Sequence, residues 1–421
     1  MTRLAIDRRK TLPEQGLPWN ALQDAMSDMR SGDADWRHGR TPLHVYYAGE
    51  DVLDVARRAY AMFINENALA PAAFPSLQRM QDDIIDIALS LLGGGPRGGG
   101  SMTSGGTESI ILAVRSALRA FRHRHPHIAR PRLLLPTSAH PAYDKAADLM
   151  QLDVLRVPIG QDYRADVEVL AQNLTADTLM IVASAPSLPF GVIDPVESIA
   201  RLAREHGVWL HVDACIGGFL APHVAKFKPG LPRFDLSVPG VRSLSADLHK
   251  FGYSAKGASV ILYADAEDMD YQHFEYFDWP KGMYRTQTLT GTRPGGTVAA
   301  AWAVLHYLGE NGYRALAHRV MRLRDRYIAG IRAIPDLHLF GEPDLSVIAY
   351  GSQELDIHGI GDAMQTRGWY VSRLSHPPAL HMTVTPGHDL GVDAYLADLA
   401  QCVHTHERGK LANLARTIVT Y

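Results

Sequence analysis

Four short apolar runs limit what this chain can fold into. They read RLLLP (132–136), LDVLRVPI (152–159), TLMIVASA (178–185) and VWLHVD (208–213), each rich in Val, Leu or Ile. Runs of this kind suit strands buried on both faces. Helical stretches separate them, and the clearest is DPVESIARLAREHG (194–207). There Asp194 is placed to cap the helix, Pro195 to occupy its first turn, Glu197 to complete a capping box and Gly207 to end it. Strand–helix alternation predicts an α/β fold with a mostly parallel sheet covered by helices.

The pattern changes after Trp302. RVMRLRDRYIAGIRAI (319–334) reads as an amphipathic helix, while LSVIAYGS (345–352) and ALHMTVTP (379–386) read as strands. The expected organisation is an N-terminal arm over 1–55 without strong periodicity, a large domain over 56–305 and a small α+β domain over 306–421. The arm is expected to pack on the body or on a partner subunit.

Composition narrows the function classes. The 421 residues are 46% hydrophobic, and 42 basic residues stand against 45 acidic ones. A balance so close to neutral gives no basic surplus for nucleic acid. Two cysteines, Cys215 and Cys402, cannot build a disulfide framework, which points to a reducing compartment. No run reaches the roughly 18 apolar residues of a membrane span, and the N-terminus lacks the apolar centre of a secretion signal. A cytoplasmic protein with no transmembrane segment is expected.

Three stretches carry chemistry. TSGGTES (103–109) opens an amphipathic run with Gly105, Gly106 and Thr107. A glycine turn at a helix start presents free N–H groups and a positive dipole end to an anion. HVDACIGGF (211–219) ends an apolar run on Asp213, placing a carboxylate at the end of a buried strand, where α/β sheets bind ligands. Such a carboxylate needs a partner, and a cationic heterocyclic nitrogen is one. SADLHKFGYSAKG (245–257) sets Lys250 and Lys256 six residues apart beside His249. A lysine near apolar segments can act as an amine nucleophile toward a carbonyl. Lysine, acid and phosphate cradle are the three things that pyridoxal 5′-phosphate needs from a protein.

The order and wording of these motifs resemble the fold-type I pyridoxal-phosphate enzymes. Within them the chain resembles the group II decarboxylase branch, and most closely the sphingosine-1-phosphate lyases. TSGGTESI, SAHPAYDKAA, FGVIDPVESIA, HVDACIGGFLAP, SADLHKFGYSAKGASVILYAD, TGTRPGG, GENGY and LSVIAYGS carry the resemblance over about residues 40–390. It implies the fold-type I transferase fold and pyridoxal 5′-phosphate as cofactor, with no metal. Lys250 would hold the cofactor covalently, His249, Gly106 and Thr107 would bind its phosphate, and Asp213 would pair with the pyridine nitrogen. His140 would stack on the ring. Thr292 would reach the cofactor phosphate across a homodimer interface. Lys256 and Tyr46 match positions that contact a substrate phosphate, and Tyr47 fits the same motif one residue on. Cys215 reads as a small buried residue rather than a nucleophile.

One motif departs from the family at two positions. Leu-His-Pro-Asp-x-Phe-Pro is usual upstream of the glycine turn, and here 69–75 reads LAPAAFP, so Ala70 replaces the histidine and Ala72 the acid. The leading expectation is retro-aldol cleavage of a phosphorylated long-chain amino alcohol, sphingosine 1-phosphate giving a fatty aldehyde and phosphoethanolamine. Lys250, Lys256 and His140 are its candidate acids and bases. The second is amino-acid decarboxylation, which needs a carboxylate clamp such as Arg293 or Arg373. The third is a catalytically silent homologue.

Overall fold

The computed structural model describes residues 11–406; the first ten residues of the expected arm and the last fifteen of the expected small domain lie outside the described residues. Seven strands form the central sheet: β1 Gly99–Thr103, β2 Arg132–Pro136, β3 Asp153–Val157, β4 Thr178–Ser184, β5 Trp209–Asp213, β6 Val241–Ala246 and β7 Ser259–Tyr263. They lie in the order β1-β7-β6-β5-β4-β2-β3. All neighbours pair in parallel except β7, which runs antiparallel to both β1 and β6. The four expected strands are β2, β3, β4 and β5.

Among the described residues twelve α-helices accompany the sheets. The first six are α1 Trp19–Met29, α2 Glu50–Met62, α3 Pro75–Leu91, α4 Gly106–Arg124, α5 Ala142–Met150 and α6 Val167–Gln172. After them come α7 Val196–Glu205, α8 Ala221–Ala225, α9 Ala266–Asp270, α10 Gly295–Ala333, α11 Ile357–Thr366 and α12 Val392–Thr405. Alternate residues of each strand feed opposite faces of the sheet. Leu133 and Leu135 of β2 join Ile110, Leu118 and Phe121 of α4 on one face. Leu134 joins Ile84, Ile199 and Val304 on the other. A hairpin of β8 Phe274–Tyr276 and β9 Tyr284–Thr286 projects from the body. The C-terminal strands β10 His338–Leu339, β11 Val347–Gly351, β12 Ser372–Ser375 and β13 Pro378–Thr383 form a separate sheet with its own apolar cluster against α11 and α12.

Three expectations change. The helix expected over 319–334 begins at Gly295 and runs through residue 305; it bends at Gly309, where φ is 54° and ψ −176°. Glycine is the residue that takes such a conformation cheaply, which is why the bend falls there. The arm is not without periodicity. Trp19, Leu22, Met26 and Met29 recur at helical spacing in α1, and all four are exposed. Farther on, the arm is strapped to the C-terminal sheet, with Thr383 donating its N–H to the Pro42 carbonyl at 2.8 Å.

The third change concerns Asp194. It does not cap α7, whose N-cap is Pro195 with no side-chain bond. Its carboxylate is buried and accepts the backbone N–H groups of Ala165 at 2.8 Å and Ser184 at 2.7 Å. Burial pushes its pKa up to about 6. Glu197 accepts instead from the exposed Arg233 at 3.2 Å. Asp194→Ala therefore leaves two buried donors unpaired, and should lower the unfolding free energy by about 2–4 kcal/mol in urea denaturation. Glu197→Ala should stay within about 0.5 kcal/mol.

Candidate active site

Strand direction gathers the motifs. β1 and β6 are each antiparallel to β7, so they point the same way, and β5, β4 and β2 follow β6 in parallel. The residues leaving all five strands therefore emerge along one edge of the sheet. β1 delivers the glycine turn, β2 delivers His140, β5 ends on Asp213, and β6 runs into the segment 247–258. That segment is short because an antiparallel return needs no crossover helix.

A cavity of about 420 Å³ opens at this edge. It is lined by Gly105, Gly106, Thr107, His140, Asp213, His249, Lys250 and Lys256. Gly105, at φ 154°, is the N-cap of α4, and no side chain caps the helix. Its first N–H groups thus face the cavity as an anion cradle. Gly106 has a steric reason too: a Cβ there would stand 2.8 Å from Cys215 Sγ and 3.0 Å from Asp247 Oδ1. The turn is braced by Glu108, which accepts the N–H groups of Ser104 and Leu289, each at 2.7 Å.

Asp213 is buried, and its Oδ1 accepts the Cys215 N–H at 3.1 Å. Its strand neighbour His211 lies wholly buried between the hydroxyls of Ser243 at 2.8 Å and Ser245 at 3.2 Å. Burial lowers the His211 pKa to about 4, so the imidazole is neutral. Cys215 is a buried thiol whose pKa burial pushes far up; it is no nucleophile.

Asp247 is the site residue that motif reading passed over. It is 2% exposed, 2.9 Å from Lys250 Nζ and 3.6 Å from His249 Nε2, and it accepts from Ser259 Oγ at 2.6 Å. Burial opposes its charge, but the Lys250 ammonium and then His249 outweigh burial and hold its pKa below the usual carboxylate range. Burial likewise opposes the Lys250 charge, and Asp247 reverses that effect, raising the lysine well above its ordinary value. The sequence clue was an aspartate three residues before the lysine, inside SADLHK.

Lys256 behaves differently. The residue is exposed as a whole, yet its ammonium end sits amid protein. Loss of water, then the Lys250 charge, lowers its pKa to about 8. Its Nζ donates to the His249 carbonyl at 3.2 Å and lies 5.2 Å from the Tyr46 ring centre. Tyr46 packs edge-on against Phe251 at 5.0 Å. Tyr47 turns to Glu50 at 3.0 Å, so it is Tyr46 that the fold brings beside Lys256. His249 donates from Nδ1 to the Ala258 carbonyl at 2.7 Å, and its ring lies 3.8 Å from where a Gly105 Cβ would be. His140 accepts the Ala142 N–H on Nδ1 at 3.1 Å, and burial lowers its pKa. A neutral ring with Nδ1 accepting carries its proton on Nε2.

Thr292 is not brought to this cavity within the chain. It lies before α10, where its hydroxyl accepts from Asn67 Nδ2 at 3.3 Å. Ala70 lies in the adjoining turn, its N–H bonded to the Asn67 carbonyl at 3.2 Å, also outside the cavity. Neither candidate clamp for a carboxylate lines this cavity, and both donate to other side chains. Arg293 donates to Gln81 at 2.5 Å and to the Ala68 carbonyl at 2.8 Å. Arg373 donates to Asp362 at 2.6 Å and Gln365 at 2.8 Å.

The residues present fit pyridoxal 5′-phosphate. An uncapped helix start with no room for a side chain at Gly106 suits a phosphate. A buried carboxylate at a strand end suits a ring cation, and a lysine faces the same cavity. The comparisons agree. Residues 6–352 match the pyridoxal-dependent decarboxylase conserved domain. The chain is 38% identical over 407 residues to a sphingosine-1-phosphate lyase of Arabidopsis thaliana, covering 95% of this chain and 74% of that protein. It is 33% identical over 333 residues to a probable L-tyrosine/L-aspartate decarboxylase of Methanothermobacter thermautotrophicus, covering 79% and 89%. The solved sphingosine-1-phosphate lyase of Burkholderia pseudomallei superposes with a TM-score of 0.90 at 37% identity, covering 95% and 94%.

The Lys250–Asp247 pair can be tested in the apoprotein. Asp247→Asn removes the counter-ion, so the pH midpoint for labelling Lys250 with an amine-reactive reagent should fall by about one unit or more. An unchanged midpoint would rule out the pair.

Proposed function

The chain belongs to the sphingosine-1-phosphate lyase family of pyridoxal-dependent enzymes, and on that premise we propose that it cleaves sphingosine 1-phosphate or a close phosphorylated long-chain amino alcohol. The products are a fatty aldehyde and phosphoethanolamine. The observation that carries the reading is Lys256, a second cation beside Lys250 in one cavity and without a carboxylate partner among the described residues. A cofactor phosphate needs the helix start and His249; a phosphorylated substrate needs a cation of its own.

Each residue then has work to do. Gly105, Gly106, Thr107 and His249 would hold the cofactor phosphate, Asp213 would pair with the ring nitrogen, and His140 would lie against the ring. Bound there, pyridoxal 5′-phosphate would supply the sink for the electron pair released when the carbon–carbon bond breaks. Lys250 would hold the group, and when free its side chain presents an amine. Asp247 raises the proton affinity of that amine. It can take the proton from the substrate hydroxyl and, after the aldehyde has left, return it to carbon. His140, with its proton on Nε2, serves as a donor rather than a base. Lys256 and Tyr46 hold the substrate phosphate.

A homodimer completes this reading. Thr292 would serve the partner's cofactor phosphate, and the hairpin leaves Phe274, Tyr276, Phe277, Trp279 and Met283 exposed, a surface suited to a second copy. The separate apolar cluster of the C-terminal sheet supports the division into an arm, a large domain over 56–305 and a small one over 306–421. Among the described residues no helix is long and apolar enough to cross a membrane. Two free, buried cysteines suit a cytoplasmic location.

Amino-acid decarboxylation is the weaker reading, because neither Arg293 nor Arg373 lines the cofactor cavity and both donate to other side chains. Product analysis decides. With sphingosine 1-phosphate the purified enzyme should release aldehyde, and Lys250→Ala should release none. Carbon dioxide from an amino acid, with no aldehyde, would reverse the assignment.

A pH dependence follows from Lys256. Its pKa is lowered to about 8, so the ammonium is complete below that pH and is lost above it. The KM for a phosphorylated substrate should therefore rise as pH passes about 8. In Lys256→Arg, whose charge does not titrate in this range, the KM should stay flat to higher pH.

A further inference from the structure

The cofactor cavity does not stand alone. A second cavity of about 600 Å³ adjoins it and shares His140 and Leu188 with it. The arm supplies one wall through Leu43 and His44.

His44 is unusual in its backbone. Its φ is 71°, in the left-handed region. A histidine there is uncommon and costs energy that the surrounding structure must offset. The strain turns the chain two residues before Tyr46, on whose ring Lys256 rests. The His44 ring meets Tyr370 edge-on at 6.2 Å.

Charge at this seam is unbalanced. Glu108 is consumed by two backbone donors, Asp247 by Lys250, and Asp213 lies across the cofactor cavity. Lys256 forms no ion pair among the described residues. His44 is half-buried and lies within the fields of both lysines; burial, then Lys256, then Lys250 lower its pKa. The charged and titratable groups about it are Lys256 and Lys250 from 247–258, Tyr370 before β12, Arg373 on β12, His381 on β13, His140 after β2, Asp144 on α5 and Arg156 on β3. Asp144 is the one carboxylate lining this cavity, and Arg156 claims it at 3.2 Å, while Arg373 is turned to Asp362 at 2.6 Å. A neutral imidazole within the field of two cations, with the cavity's carboxylate already paired, is arranged to gain a proton when an anion arrives.

We infer that His44 is a specificity-determining contact for the substrate's phosphate, acting with Lys256 at the seam between the two cavities. The inference rests on the lyase reading for the identity of the substrate, but not for the chemistry of the anion. It also gives the site a histidine from the arm, in a chain that has Ala70 in the family's LHPD motif.

The test uses the holoenzyme and two variants. Asparagine tolerates the left-handed backbone, so His44→Asn keeps the turn and removes only the imidazole. His44→Lys restores a cation. Phosphoethanolamine and ethanolamine are titrated against the cofactor absorbance, and KM and kcat are measured with sphingosine 1-phosphate. His44→Asn should weaken phosphoethanolamine about tenfold or more and leave ethanolamine unchanged. KM should rise by a similar factor while kcat stays within about threefold, and His44→Lys should recover most of the loss. Equal losses for both amines, or none for either, would overturn the inference. If the wild type cleaves no phosphorylated amino alcohol, the lyase reading fails on its own, and the two titrations still decide the role of His44.

Discussion

The direction of β7 is the constraint on which the site depends. It returns antiparallel between β1 and β6, and so lets those two strands point the same way with only a short segment between β6 and β7. That segment carries Asp247, His249, Lys250 and Lys256. A parallel return would have needed a helix crossing the sheet, and these four residues would not lie together beside the start of α4 and the end of β5. A parallel core rich in Val, Leu and Ile makes this edge rigid, and rigidity is what a cofactor site asks of its scaffold.

Within that frame electrostatics sorts two similar lysines. Lys250 and Lys256 are six residues apart and share one cavity. Asp247, buried and 2.9 Å away, claims the first and raises its proton affinity. The second is left with a carbonyl and the face of a tyrosine, and its pKa falls to about 8. Under the proposed reading the first would be a strong base when free of the cofactor, and the second a cation open to an outside anion. The two lysines have the same chemistry, and the larger part of the difference comes from one carboxylate that touches only the first.

The motif residues were legible because each is tied to backbone geometry that sequence encodes locally. Glycines before an amphipathic run mark a helix start, and an aspartate closing an apolar run marks a strand end. Asp194 was misread for the same reason: its place before Pro195 fits a cap, and nothing local reveals two N–H donors supplied by residues 165 and 184. Asp247 carried a local clue, three residues before Lys250, but its burial shows only in the fold; His44 was illegible because what it faces comes from distant segments. The choice between Tyr46 and Tyr47 likewise waited on which ring turned inward.

The sequence by itself determined the fold class, the helix start at Gly105–Gly106 and the strand end at Asp213, because periodicity, glycine spacing and strand ends are local properties of the chain. Only the tertiary structure decided which carboxylate pairs with Lys250. It also decided that Arg293 and Arg373 donate to other side chains, that Thr292 stands away from its own chain's cavity, and that the arm brings His44 to the wall of the second cavity. Some of these contacts join distant segments and others, like Asp247 with Lys250, near neighbours; in both cases the energies depend on burial and distance, which exist only once the chain has folded.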